Sequence, residues 1–274
     1  MNPEDLFREH LQARVLEIHD LSVGVEQEVR RVHTDRGIFV IKRPLADRSI
    51  NLREEVATRL CRQAGVPAPR VLWREGSYLV EEWIEGEPLD RASLTVDEKA
   101  GLFRELGALL GRMHRIRLQG FGRITEAGRG EADRYLEFYL ESAGDKGLLA
   151  QEGPARRYFE AHRHYLDRDS SVLIHFDMEE EHVLVRERRI VGLVDFASAF
   201  AGSPMEEFTR MYGLRWKDPL FESLLEGYGD VDREELRFFT FLHLHWRIPW
   251  HMKKGNRPEK VALLTGLYRK IVGR

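Results

Sequence analysis

The chain is nearly devoid of cysteine, with Cys61 alone among 274 residues. A single thiol closes no internal disulfide, so the core must hold the fold, and a reducing compartment is expected. A long apolar run is also missing. Even IVGLVDFASAFAG, residues 190–202, is interrupted by Asp195 and is too short to span a bilayer. The opening MNPEDLFREHLQARVLEI mixes acids and bases where a secretory signal would place a basic stretch and then an apolar one. A cytoplasmic protein is expected. The net charge is only −3, which gives little drive toward nucleic acid or anionic lipid, so neither is an expected partner. There is no internal repeat and no low-complexity segment. What remains, 42% hydrophobic and 32% charged residues, describes a globular enzyme or binding protein, long enough for one large domain or two lobes.

The texture changes once along the chain. In VGVEQEVRRVHTDRGIFVIKR, apolar and polar residues alternate around Thr34-Asp35-Arg36-Gly37, predicting a hairpin with strands near 28–33 and 38–42. NLREEVATRLCRQAG follows, with Leu52, Val56, Leu60 and Ala64 at helical spacing before Gly65. VPAPRVLW and GSYLVEEWIEGEPL return to strand character. Beyond Gly86 and Pro88 the chain becomes mostly helical. Thr95 and Glu98 form a capping box ahead of a helix faced by Leu102, Leu106, Leu109, Leu110 and Met113. Residues 206–274 read as helices broken by Pro219, Pro249 and Pro258.

The stretch VLIHFDMEEEHVLV, residues 172–185, carries charge where its flanks predict burial. Short strands are expected at 172–174, 183–185 and 190–194, paired as hairpins. They leave His175 to His182 in a loop and Asp195 just past a strand. One loop carboxylate can orient a hydroxyl and accept its proton, while a second can hold a divalent cation against phosphate oxygens. Phosphoryl transfer needs little more. Lys42, ending a strand, supplies a cation for the phosphates, with Glu54 or Glu55 on the next helix to fix it by an ion pair. Ser22 and Gly24, in SVGVEQ, supply a turn over the phosphates.

In this order the residues resemble the aminoglycoside phosphotransferase and choline-kinase-like branch of the protein-kinase-like superfamily. That family has a loop of the type H-G-D-x-x-x-x-N, then a strand and I-D-F-G or I-D-W. Here stand His175-Phe176-Asp177, then His182, then Leu193-Val194-Asp195-Phe196. The likeness continues through Lys42, REEVATRL, GVPAPRVL, LVEEWIEGEPL, ALLGRMH and GSPMEEF. It implies an α+β, two-lobed protein-kinase-like fold, with a small β-rich nucleotide-binding lobe over 1–84 and a larger helical lobe over 85–274 for catalysis and acceptor binding. The resemblance makes Asp177 the catalytic base, Asp195 and His182 metal ligands, and His175 a brace for the loop. Lys42 becomes the phosphate lysine, with Glu55 ahead of Glu54 as its partner, and Glu82 and Ile84 offer backbone groups to the base. The expected co-substrate is ATP or GTP, with Mg2+ or Mn2+. The expected acceptor is a hydroxyl of an aminoglycoside, macrolide or amino-alcohol, as in antibiotic resistance.

Three departures from the family pattern stand out. His182 replaces an asparagine, as in the macrolide-kinase branch, and imidazole suits softer cations than magnesium. M-E-E-E replaces L-H-P-G, and Ala197 replaces a glycine. Glu207 replaces an aspartate of the G-D-P-x-x-D segment. Glu179, Glu180 and Glu181 are expected at the rim, where their field would favour cationic acceptors. Other readings compete with this one. A loop aspartate by itself most often caps a turn. A zinc hydrolase is disfavoured because His175 and His182 are seven residues apart across a loop instead of sharing a helical face. A catalytically weak, kinase-like nucleotide-binding protein is the alternative that His182 and Ala197 motivate.

Overall fold

Alternating residues around a tight turn build the first sheet. β2 (Gln27–Thr34) and β3 (Gly37–Pro44) pair antiparallel with Thr34 opposite Gly37, and Gly37 takes φ 131°, a conformation that side chains disfavour. The structure, a computed structural model, describes residues 3–23, 27–47, 49–142, 153–215, 218–254 and 258–273. It divides by packing into two units, residues 1–92 with 181–198, and residues 93–180 with 199–274. The expected division after residue 84 stands as a proposal about function.

In unit 1, α1 (Pro3–Leu11) precedes β1 (Val15–Val23), and α2 (Ser49–Gln63) leads to β4 (Val71–Glu75) and β5 (Tyr78–Glu82). The strands form one antiparallel sheet in the order β1-β2-β3-β5-β4. Val32, Ile41 and Val80 of that sheet bury themselves against Leu6 and Phe7 of α1. β6 (Glu87–Pro88), β11 (Val183–Arg186) and β12 (Arg189–Leu193) make a second, three-stranded sheet in which β11 and β12 are a hairpin.

Unit 2 begins with α3 (Val96–Met113), whose Thr95 and Glu98 make the expected capping box. Short strands follow: β7 (Arg117–Leu118), β8 (Phe121–Ile124), β9 (Gly130–Ala132), β10 (Ser171–Ile174) and β13 (Phe200–Gly202). They join in the order β7-β10-β13-β8-β9. Thus β10 pairs with β7 and β13 and makes no hairpin with β11, which corrects the expectation for that strand. Its four residues are all buried, and a strand so enclosed takes its neighbours from distant segments. The helices are α4 (Tyr135–Ser142), α5 (Pro154–His162), α6 (Pro204–Glu207), α7 (Thr209–Arg215), α8 (Pro219–Tyr228), α9 (Arg233–Lys254) and α10 (Pro258–Ile271). Pro219 and Pro258 open helices, as proline at a first turn does. Pro249 instead lies inside α9, so the break expected there does not occur. No described helix is long and apolar enough to cross a membrane.

Candidate functional site

In unit 1 the β11–β12 register brings two sequence-distant residues together. Val183 pairs with Leu193, and the Val194 amide donates to the His182 carbonyl at 3.0 Å, so the next residue, Asp195, stands beside His182. His182 Nε2 lies 3.5 Å from Asp195 Oδ2, and the Glu181 carboxylate is 3.8 Å from the same nitrogen. Asp195 adopts φ 65°, a left-handed conformation costly for a non-glycine residue and frequent at functional sites. An imidazole nitrogen and a carboxylate oxygen facing each other at partly open positions fit a divalent cation. Its remaining ligands would be phosphate and water oxygens.

α2 closes this group from the other side. Its buried residues Ile50, Glu54, Ala57 and Cys61 recur at helical spacing, so Glu54 points inward with the core stripe. Glu54 Oε1 accepts from Lys42 Nζ and, at 3.2 Å, from the backbone N–H of Phe196, next to Asp195. The neighbouring Arg53 donates to the Ala197 carbonyl at 3.3 Å. Glu55, the partner the resemblance favoured, instead pairs with Arg74, because it lies about 100° round the helix from Glu54. Lys42 has a second carboxylate, Glu81 Oε1, at 3.0 Å. All three groups are buried. Although burial alone would lower it, Glu54, Glu81 and Asp195 raise the pKa of Lys42 well above the ordinary lysine value. Burial pushes Glu81 up to about 7 against the pull of Lys42. Glu81 was absent from the sequence reading. A charged residue between apolar Leu79 and Val80 and the equally charged Glu82 gives no alternation that marks it.

The other expected residues of unit 1 are scattered in role. Glu82 gives its backbone N–H to the Arg70 carbonyl at 3.0 Å, and its carboxylate accepts from Arg62 and the Arg70 amide. The Ile84 side chain lies against Gly192. Ser22 lies within β1, and Gly24 lies outside the described residues.

In unit 2 the loop after β10 is tied down through its backbone. Ser203 caps α6, with Pro204 at its first turn and Glu206 completing a capping box, so the helix starts where Glu207 can turn inward. Glu207 then accepts from two consecutive amides, His175 N–H at 2.6 Å and Phe176 N–H at 3.0 Å. His114, held by Tyr228 at 3.0 Å, lies 3.5 Å from the same carboxylate. Burial would raise the Glu207 pKa, but the contacts with His114 and His175 hold it below the ordinary carboxylate value. Phe176 takes φ 66° with its ring against Phe200, and the Asp177 amide donates to His175 Nδ1 at 3.3 Å. The carboxylate of Asp177 receives Arg210 of α7, whose other nitrogen is 2.7 Å from Glu179.

The glutamates differ from the expected open acidic rim. Glu180 is one-tenth exposed and pairs with Lys99 and Arg215, Glu179 pairs with Arg210, and Glu181 alone is mostly exposed, at 58%. Repulsion among adjacent carboxylates is relieved by the protein's own cations. Arg210 carried no signal in the sequence, since an arginine on a helix is ordinarily a solvated residue.

The sequence profile described as the phosphotransferase enzyme family matches residues 17–239. Among curated proteins, the EKC/KEOPS complex subunit BUD32 of Encephalitozoon cuniculi (strain GB-M1) is 39% identical over 62 residues, 23% of this chain and 32% of that protein. The chain therefore spans about a third of that relative's length. A solved structure of a thermostable mutant of aminoglycoside phosphotransferase APH(4)-Ia, in ternary complex with ADP and hygromycin B, superposes with TM-score 0.74 at 17% identity, covering 99% of this chain and 98% of that one. Macrolide 2'-phosphotransferase MphH from Brachybacterium faecium gives 0.61 at 18% identity, with 96% of each chain covered. ADP-bound aminoglycoside phosphotransferase APH(2'')-Ib gives 0.66 at 16% identity, covering 98% and 97%. These likenesses establish the fold.

Proposed function

The chain belongs to the phosphotransferase enzyme family, and from that premise we propose that it is a small-molecule kinase moving the γ-phosphoryl group of ATP or GTP to an acceptor hydroxyl. The observation that carries this reading is the buried Lys42–Glu54 pair, tied through the Phe196 amide to the turn of Asp195. Burying an ion pair costs several kcal/mol of desolvation per charge, about as much as a well-packed apolar pair would save. A lysine kept charged there by flanking carboxylates is a fixed cation suited to the α/β-phosphates. On this reading Ser22 and Gly24 would act on the phosphates, and the Glu82 carbonyl and the Ile84 backbone would meet the base, since the Glu82 N–H is held by the Arg70 carbonyl.

Asp195 and His182 would hold Mg2+ or Mn2+, which when bound neutralises charge on the phosphate oxygens. Asp177 accepts the hydroxyl proton as the acceptor oxygen bonds to the γ-phosphorus and the bond to the β–γ bridging oxygen breaks, leaving ADP or GDP. His175 and Glu207 keep the backbone on either side of Phe176 in place, so the carboxylate of Asp177 is presented from a rigid loop. Kinship to aminoglycoside and macrolide phosphotransferases supports the reaction class and leaves the acceptor to other arguments. A second reading, nucleotide binding without transfer, draws on the ion pair that Arg210 makes with Asp177.

Asp177→Asn separates the two. On the kinase reading the variant folds and binds nucleotide like the wild type while turnover falls by orders of magnitude, because asparagine neither takes the proton nor carries the charge that orients the hydroxyl. Turnover near the wild-type level would remove Asp177 from the reaction. A wild-type protein that binds nucleotide but phosphorylates no hydroxyl compound would favour the second reading.

A further inference from the structure

The junction of α6 and α7 grips the loop after β10 twice. Glu207 accepts the His175 and Phe176 amides, and Arg210, three residues later, meets the carboxylates of Asp177 and Glu179. Those two carboxylates reach one guanidinium because the loop turns tightly, with the Glu179 amide donating to the Asp177 carbonyl at 3.0 Å. We infer that Arg210 is a positioning residue that masks the base, Asp177, while no acceptor is bound, and that Glu179 receives the guanidinium when an acceptor hydroxyl takes its place. This inference rests on the phosphotransferase reading, in which Asp177 takes the acceptor's proton, and adds a control on which hydroxyl reaches it.

A carboxylate acts as a base only through an oxygen that is free to receive a hydroxyl. A guanidinium on it occupies one oxygen and stabilises the anion, which makes it a weaker proton acceptor. Water is thereby kept from competing. Its attack on the γ-phosphorus would break the bond to the β–γ bridging oxygen, pass a water proton to Asp177 and release ATP's energy as ADP and phosphate. The burial of the three groups suits a contact that opens. Arg210, Asp177 and Glu179 expose 17%, 22% and 29% of their side chains, between the buried pair of Lys42 and Glu54, which stays closed, and surface pairs, which hold no fixed geometry. The backbone around the contact is fixed. The amides of His175 and Phe176 are bonded to a buried carboxylate, and the neighbours of Arg210 in α7, Thr209 and Met211, are buried. Release therefore falls to the arginine side chain, whose planar fork can keep one nitrogen 2.7 Å from Glu179 as the other leaves Asp177. With Glu179 in place, leaving Asp177 does not strand a half-buried cation.

The test needs no added acceptor, since water serves as one. The full chain and its variants are compared for ATP hydrolysis with Mg2+ and, by calorimetry, for ATP binding. Arg210→Gln should hydrolyse ATP about three- to tenfold faster than the wild type at unchanged ATP affinity, a modest part of what general-base catalysis can contribute. Adding Asp177→Asn to Arg210→Gln should remove that gain, which identifies the base that was freed. Glu179→Gln should act in the opposite direction and slow hydrolysis by about threefold or more, because the guanidinium is then held on Asp177. A purely structural arginine gives a different pattern, in which both substitutions slow hydrolysis together. Should Arg210→Gln fold poorly, Arg210→Lys takes its place: a single ammonium lacks the fork that reaches both carboxylates, so hydrolysis should still rise. Hydrolysis by Arg210→Gln and Arg210→Lys that is no faster than wild type, or a change of the same sign in Glu179→Gln, overturns the inference. If Asp177→Asn alone still lowers the wild-type rate in that case, the phosphotransferase reading stands; if it does not, that reading falls as well.

Discussion

A lysine buried between two carboxylates sets the energetics of single residues in unit 1. Removing one partner of a buried pair leaves an uncompensated charge and costs about 3–5 kcal/mol, whereas an exposed pair contributes about 0–1 kcal/mol. Glu54→Gln should therefore lower stability by a few kcal/mol and raise KM for ATP, because Lys42 loses the charge of the carboxylate that anchors it. Glu55→Gln, which breaks only the partly exposed contact with Arg74, should change both little. Equal effects from the two would contradict the inward phase of Glu54. Glu81 adds a pH dependence. Its carboxyl, ordinarily near 4.5, is pushed up to about 7 by burial, so the folded state binds the extra proton. Stability from that proton is complete below the ordinary carboxyl value and is lost as pH rises through about 7. Between pH 5 and 8 the unfolding free energy should fall more steeply in the wild type than in Glu81→Gln, by about 1–3 kcal/mol. Parallel denaturation series across that range would show it.

At the scale of elements, unit 2 depends on the close approach of α3 and α8. A Cβ at Gly107 would strike the Leu224 carbonyl oxygen and come within 2.7 Å of the Tyr228 amide, and one at Gly227 would strike the Arg104 carbonyl. Backbone cannot yield as a flexible side chain does. Gly107→Ala should cost about 2–4 kcal/mol by forcing the helices apart. Gly101, also in α3, has no neighbour within 4 Å of an added Cβ, so Gly101→Ala should stabilise by about 0.5–1 kcal/mol through helix propensity. The pair of midpoints in urea, one lowered and one raised, distinguishes packing from propensity within a single helix. In α9, Pro249 supplies no N–H to the helical ladder, yet His251 beyond it is 4% exposed. Tertiary burial carries that helix past a residue which local preference would use to end it.

For the whole molecule, a ligand that binds only the folded state stabilises it by mass action, about 2.7 kcal/mol at a hundredfold excess over Kd. ATP with Mg2+ or Mn2+ should raise Tm more than ATP alone, since Asp195 and His182 are proposed to bind phosphate oxygens only through the cation. Asp195→Ala should abolish the increment due to the cation. His182→Asn should move the larger increment from Mn2+ toward Mg2+, because an amide oxygen is a harder ligand than imidazole. Scanning calorimetry of the three proteins with each cation tests both statements. An unchanged cation increment in Asp195→Ala would exclude it as a ligand, and identical profiles for His182→Asn would make His182 a packing residue.

Local pattern alone determined much of this protein. The Thr34–Gly37 turn with its alternating flanks, the Thr95–Glu98 capping box and the placement of Asp177 and Asp195 just outside short apolar strands follow from turn chemistry and periodicity. The pairing of His182 with Asp195 needs only one hairpin register. Other features were decided by packing between segments distant in sequence. Of the apolar stripe Leu52, Val56, Leu60 and Ala64 that the spacing predicts, only Val56 is buried, while the tertiary structure also buries Ile50, Glu54, Ala57 and Cys61 and thereby selects Glu54 for Lys42. Glu81, Glu207 and Arg210 acquired their partners in the same way, across separations of 31 to 33 residues for the two loop contacts. A carboxylate's sequence neighbours set its position on an element, but its counter-charge comes from whichever element packs against that face. The acidic run at 179–181 shows the physical reason. Its charge is plain in one dimension, and its field depends on cations that three dimensions bring beside it.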